Sequence, residues 1–137
     1  MGLGTRKVKK NTVSTSATEC LCVLVIEDND DILDCIKFCL LETGYKVFSA
    51  NNGSRAIGFL NAVVPNAIVL DWFLLQTYPE LIEHLKKEKL LHRVLLCSGA
   101  TELDKKRCSI GVPHALQKPF EYEDLQDMVR NIALAAK

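Results

Sequence analysis

No stretch of this 137-residue chain approaches the roughly 18 consecutive apolar residues that a membrane-spanning helix requires, so no membrane partner is expected. An excess of either charge is also missing. Lysine plus arginine and aspartate plus glutamate both total 17, so bulk charge gives no reason to expect nucleic acid or an anionic surface as partner. The opening "MGLGTRKVKKNTVSTSATEC" lacks the apolar centre of a secretory signal, and Arg6 stands where N-acylation needs Ser or Thr. Basic, then Ser/Thr-rich, residues 1–20 are expected to be a flexible arm on a cytoplasmic protein, with residues 21–137 forming one domain. Cysteine is not scarce, but zinc-finger spacing is absent. Cys35 and Cys39 lie four apart in a helical pattern, Cys20 and Cys22 alternate at a strand start, and His84, His92 and His114 are scattered. Reduced thiols acting as small apolar residues are the expectation for Cys97, Cys108 and the rest.

What is present alternates between two periodicities. "LCVLVI" (21–26) is a continuous apolar run suited to a strand covered on both faces. "DDILDCIKFCLLETG" (30–44) spaces Ile32, Leu33, Ile36, Leu40 and Leu41 as a helix does, and Gly44 is a natural stop. "YKVFSA" (45–50) is strand-like. "GSRAIGFLNAV" (53–63) is helix-like with Ser54 as candidate cap, and "NAIVL" (66–70) is again strand. "YPELIEHLKKEKL" (78–90) predicts a helix with Pro79 near its start, where proline is tolerated. "RVLLC" (93–97), "TELDKKRCSIG" (101–111), "HALQ" (114–117) and "EYEDLQDMVRNIALAA" (121–136) continue as strand, helix, strand and helix. Five strands alternating with helices across short links predict a doubly wound α/β domain with a parallel sheet and helices on both faces. In such sheets ligands bind beyond the carboxyl ends of the strands.

Those ends carry chemistry. "IVLDWFLL" (68–75) places a carboxylate, Asp71, in an otherwise apolar run, although aspartate is a poor strand residue and costly to bury. The first strand runs into Glu27 and Asp28, the fourth into Ser98 and Gly99, and the fifth into Lys118 and Pro119. Three carboxylates packed together repel unless a cation shares the space. An all-oxygen set suits Mg²⁺ or Mn²⁺, while Lys118 and Ser98 could neutralise and bind phosphoryl oxygens. Asp71 would be the nucleophile, carrying phosphorus as an acyl phosphate. Asp71 could instead cap a helix. The apolar "WFLL" after it makes a poor first turn for a capped helix, which favours the chemical role. Glu27 and Asp28 could simply belong to an acidic turn leading into the next helix.

"VLVIEDND", "IVLDWFL", "VLLCSG" and "LQKPF" resemble, in order and spacing, the signature segments of response-regulator receiver domains of two-component signalling. The resemblance runs from about residue 21 to the end. It implies a flavodoxin-like strand order of 2-1-3-4-5, Glu27 and Asp28 as metal ligands, and Asp71 as phosphoacceptor and further ligand. It also implies that the Phe73 backbone carbonyl completes the metal site, that Ser98 is the switch hydroxyl, and that Lys118 is the active-site lysine. The expected function is a single-domain regulator, a monomer or weak dimer with no output domain of its own. It would be phosphorylated by a sensor histidine kinase or phosphotransfer protein and signal through protein–protein contacts. It would be a phosphoacceptor rather than an enzyme. The chain departs from the pattern at Leu75 and Pro79, where receivers carry proline and glycine. It departs again at Ala115, where an aromatic switch residue is usual, with His114 beside it. These departures leave an alternative, a pseudo-receiver whose surface works without phosphorylation. A dehalogenase-type phosphatase would want a second aspartate two residues after Asp71, where Phe73 stands.

Overall fold

The computed structural model describes residues 21–136; the expected arm at 1–20 and Cys20 lie outside the described residues. Five parallel strands form one sheet in the order β2-β1-β3-β4-β5: β1 Cys22–Ile26, β2 Lys46–Ala50, β3 Ala67–Asp71, β4 Val94–Ser98 and β5 His114–Gln117. Six helices connect or follow them: α1 Asp30–Leu41, α2 Gly53–Ala62, α3 Trp72–Thr77, α4 Glu80–Lys87, α5 Leu103–Ile110 and α6 Tyr122–Ala135. A short 3₁₀ turn, Leu91–Arg93, precedes β4. The doubly wound parallel sheet expected from the alternating periodicities is present, in the flavodoxin-like order that the resemblance implies.

Strand side chains alternate faces, and the two cores follow that rule. Leu24, Ile26, Ile68, Leu70, Val94 and Leu96 point to one side, where they pack with Ala56 and Leu60 of α2, Leu74 and Leu75 of α3, Leu81 and Leu85 of α4, and Leu103 of α5. Val23, Val25, Val69, Leu95 and Cys97 point to the other, against Leu33, Ile36 and Leu40 of α1 and Leu125, Val129 and Ile132 of α6. Every residue of β3 and β4 is buried, as continuous apolar runs in a two-sided sheet require.

Helix ends follow local chemistry, with one correction. Helix α2 is capped by Asn52, whose side chain accepts the Arg55 N–H at 2.8 Å, rather than by Ser54, which lies inside the helix. Both residue types cap well, and the extended backbone at Asn52 decides between them. Gly44 (φ 94°) and Gly111 (φ 79°) adopt the left-handed conformation after α1 and α5, where glycine carries no Cβ penalty.

The thiols divide by depth. Cys39 and Cys97 are buried, Cys22 is half-buried, and Cys35 and Cys108 are exposed. Burial pushes the Cys97 thiol up to about 12. Iodoacetamide applied to the native protein should therefore alkylate Cys35 and Cys108 well before Cys39 and Cys97, as read by peptide mass mapping. Equal labelling of all four would contradict the packing of β4 and α1.

Candidate functional site

Parallel strands bring their carboxyl ends to one edge, and register decides what meets there. Ile26 pairs with Leu70, and Asp71 pairs with Cys97. Glu27 therefore leaves β1 beside the end of β3, and Ser98 closes β4 one residue beyond Asp71's partner. Lys118 follows β5 and is held to β4 by its own N–H, which donates to the Ser98 carbonyl at 2.8 Å.

The side chains converge. Lys118 Nζ donates to Asp71 Oδ1 and to Glu27 Oε1, both at 2.8 Å. Glu27 and Asp71 are each 3% exposed, while Asp28 is exposed at the rim. One carboxylate oxygen from each of Glu27, Asp28 and Asp71 lies within 4.8 Å of the others. Three carboxylates against one ammonium leave the cluster two charges short of neutrality. An all-oxygen donor set with that deficit fits a hard divalent ion such as Mg²⁺.

Electrostatics reflect the crowding. Burial raises the Glu27 carboxyl above its usual range, and the hydrogen bonds from Lys118 and from the Asn29 N–H only partly oppose it. Burial works to lower Lys118, but hydrogen bonds to Asp71 and Glu27 outweigh it, and the ammonium is held above its usual value. Lys118 therefore stays charged between the two acids.

Asp71 uses both of its carboxylate oxygens. Its Oδ2 accepts the Leu74 N–H at 3.0 Å, so it is the N-cap of the six-residue helix α3. The apolar "WFLL", which argues in sequence against a capped helix, is that helix's first turn. Leu74 and Leu75 bury themselves in the core while Phe73 stays 55% exposed, so tertiary burial overrides the weak local preference. Of the two roles posed for Asp71, the cap is the one present, and it leaves Oδ1 to pair with Lys118. Phe73 lies in the first turn of α3, whose carbonyls run along the helix axis toward its own later residues. At the far end of α3, Tyr78 packs its ring onto Gly53, where a Cβ would collide with it. Leu75 lies within α3, and Pro79 stands at the N-cap position of α4.

Ser98 is fully buried, and its Oγ accepts the Ala100 N–H at 2.9 Å, shaping the loop that leads to α5. A Cβ on Gly99 would meet nothing nearer than the Lys118 side chain, at 3.9 Å, so there is room around Gly99 itself. Ala115 lies half-buried in β5 opposite Leu96, and His114 opposite Leu95. Burial and then the Arg107 charge hold His114 below its usual value. Sequence reasoning misses the backbone donors Asn29 and Leu74 and the placing of Lys106 Nζ 6.0 Å from the centroid of the Trp72 ring. Only the N-cap preference of Asn29, in "EDND", could have signalled any of these.

The family profile described as the response regulator receiver domain matches residues 23–130. The chain belongs to that family. Among curated receivers it is 29% identical over 115 residues to the phosphate regulon transcriptional regulatory protein PhoB of Escherichia coli, covering 80% of this chain and 50% of PhoB. It is 28% identical to the sensor histidine kinase TmoS of Ectopseudomonas mendocina, over 80% of this chain and 12% of TmoS. The chain thus spans about half the length of PhoB. In structure it resembles the receiver domain of the Francisella response regulator 1452, with a TM-score of 0.75 and 27% identity over 85% of this chain and 99% of that one. It shares its fold with the Thermotoga maritima response regulator TrrA, solved in complex with Mg²⁺ and BeF, at a TM-score of 0.70 and 21% identity over 82% of this chain and 98% of that one. Receiver domains are phosphoacceptors rather than enzymes that turn over a substrate. No helix among the described residues is long and apolar enough to cross a membrane.

Proposed function

We propose that this receiver, taken as residues 21–137, accepts a phosphoryl group on Asp71 from a phosphohistidine of a sensor histidine kinase or phosphotransfer protein and passes the signal on through protein–protein contacts. The observation that carries the reading is Lys118, whose ammonium stands 2.8 Å from Asp71 Oδ1, where a phosphoryl oxygen on that carboxylate needs a cation. In the transfer a carboxylate oxygen of Asp71 forms the new bond to phosphorus. The phosphorus–nitrogen bond of the donor breaks, and its electron pair stays on the imidazole nitrogen. Ser98 supplies a small hydroxyl next to Gly99, and Lys118 offsets charge on the phosphoryl oxygens. Glu27, Asp28 and Asp71 would hold Mg²⁺ or Mn²⁺, and the Phe73 carbonyl would join them only if the first turn of α3 opens. Such an ion, when bound, neutralises phosphoryl charge. TrrA, solved with Mg²⁺ and BeF, lends this reading support by fold likeness.

Incubation with Mg²⁺ and acetyl phosphate should add the mass of one phosphoryl group to the wild type and none to Asp71→Asn. The asparagine keeps an N-cap oxygen for Leu74, so loss of the gain is chemical rather than a failure to fold. A gain surviving in Asp71→Asn, or absent from the wild type, defeats the reading. In that case the second reading, an interaction module independent of phosphorylation, is the one favoured by Ala115, and partner binding should be unchanged in Asp71→Asn.

Phe73 lies two residues after the acceptor and is half exposed, and its ring cannot orient an attacking water. The acyl phosphate should therefore be long-lived, and Phe73→Asn or Phe73→Glu should shorten its lifetime. Wild-type label lost within seconds, followed by intact mass after donor removal, would refute this.

A further inference from the structure

The half-buried Ala115 leaves the usual aromatic position of β5 without a ring, yet another ring, that of Trp72, packs against the same core cluster. Trp72 is the first residue of α3, the helix capped by the Asp71 carboxylate. Lys106 of α5 places its Nζ 6.0 Å from the Trp72 ring centroid, within the range of a cation–π contact, and donates from the same atom to the Thr101 carbonyl at 2.6 Å. Thr101 belongs to the loop shaped by the Ser98 hydroxyl through Ala100, whose carbonyl also accepts from Gln117 Nε2 at 3.2 Å. Two routes from the proposed phosphoryl site, one through α3 and one through the Ser98 loop, therefore end on the same ammonium.

Helix α5 is lightly anchored to the sheet. It buries one residue, Leu103, and its N-terminus has no side-chain cap. Glu102, the residue that joins the loop to it, sits at φ 56° in the left-handed region, a strained conformation for a residue with a side chain. The Lys105–Glu102 pair there is exposed and adds little.

We propose that Lys106 is a positioning residue that couples the acceptor end of β3 to helix α5. By holding the Trp72 ring and the Thr101 carbonyl together, it takes the relay role for which Ala115 has no ring. A phosphoryl group on Asp71 alters the carboxylate that caps α3 and draws on the Ser98 hydroxyl that shapes the loop. Either change shifts what Lys106 grips, and α5 follows. This rests on the phosphoacceptor reading.

The test uses the full chain with Mg²⁺ and acetyl phosphate. Intact mass reports phosphorylation, and amide hydrogen exchange over residues 99–110 reports α5, each in wild type, Lys106→Met, Lys106→Arg and Trp72→Leu. Wild-type exchange in that segment should change on phosphorylation. In Lys106→Met and Trp72→Leu the mass gain should persist while the exchange change shrinks about two- to five-fold, the factor carried by a contact of this kind. Lys106→Arg should restore it. A purely structural role would alter exchange equally with and without the phosphoryl group. A full exchange response in both Lys106→Met and Trp72→Leu overturns the coupling and leaves the phosphoacceptor reading standing. Absence of mass gain in the wild type overturns both.

Discussion

Lys118→Ala should slow phosphoryl transfer to Asp71 by about 10²- to 10³-fold, the loss seen when one preorganised charge-stabilising donor is removed. The same substitution should tighten Mg²⁺ binding. In the native protein the ammonium and a divalent ion are drawn to the same carboxylates, with Nζ 2.8 Å from both Asp71 Oδ1 and Glu27 Oε1. Removing the resident positive charge leaves the three acids to be neutralised by the ion without Lys118. Stability without metal should fall as well. Truncating one partner of a buried charge pair costs about 3–5 kcal/mol, an upper bound here because the Lys118 side chain is 20% exposed and water reaches it. Adding Mg²⁺ should recover much of that loss by binding only the folded state. Acyl-phosphate formation followed by mass, and thermal denaturation with and without Mg²⁺, read the three effects. Slower transfer together with tighter metal binding is a combination that general unfolding cannot produce. Weaker Mg²⁺ binding in Lys118→Ala would remove Lys118 from the position argued for it.

Leu96→Ala should be the most destabilising single truncation in the sheet, at about 2–5 kcal/mol. Leu96 is fully buried at the middle of β4, paired with Leu70 on one side and Ala115 on the other, in the core shared with α4 and α5. The cost of such a cavity depends on whether neighbours can collapse into it. Ala115 has no long side chain to swing into the space, and the backbone on both sides is held by sheet hydrogen bonds, so the upper part of the range is expected. Against a typical total of about 5–15 kcal/mol this is a large fraction. It should lower the thermal midpoint by roughly 8–20 °C. Urea unfolding should show a reduced midpoint at unchanged slope. A loss below about 1 kcal/mol would mean the site repacks and the core is looser than its burial indicates.

Both predictions depend on features that differ in how far they can be read from the chain itself. Leu96 as a core residue is visible in "RVLLC", because a continuous apolar run between turn signals has no stable place except between two layers. The alternation of strands and helices, the glycines that end α1 and α5, and the identity of the acidic and lysine residues at the strand ends are legible for the same reason: each follows from a short-range pattern, whereas the strand order is implied only by the family resemblance. Where local preferences compete, the reading fails. Ser54 and Asn52 are equally good caps, and only the backbone path into α2 selects Asn52. "WFLL" looks unsuited to a capped helix, yet α3 forms there because Leu74 and Leu75 gain burial that outweighs propensity.

By itself, then, the amino-acid order determines the alternation of strand and helix, the faces that must be covered, and the set of polar side chains available at one edge. Tertiary structure alone decides that Lys118 meets Glu27 across 91 positions of chain and Asp71 across 47, and that Lys106 lies against Trp72. The physical reason is one of range. Periodicity and capping act over a few residues, whereas these contacts arise from sheet register and helix packing, in which every element must be in place before any one pair can meet.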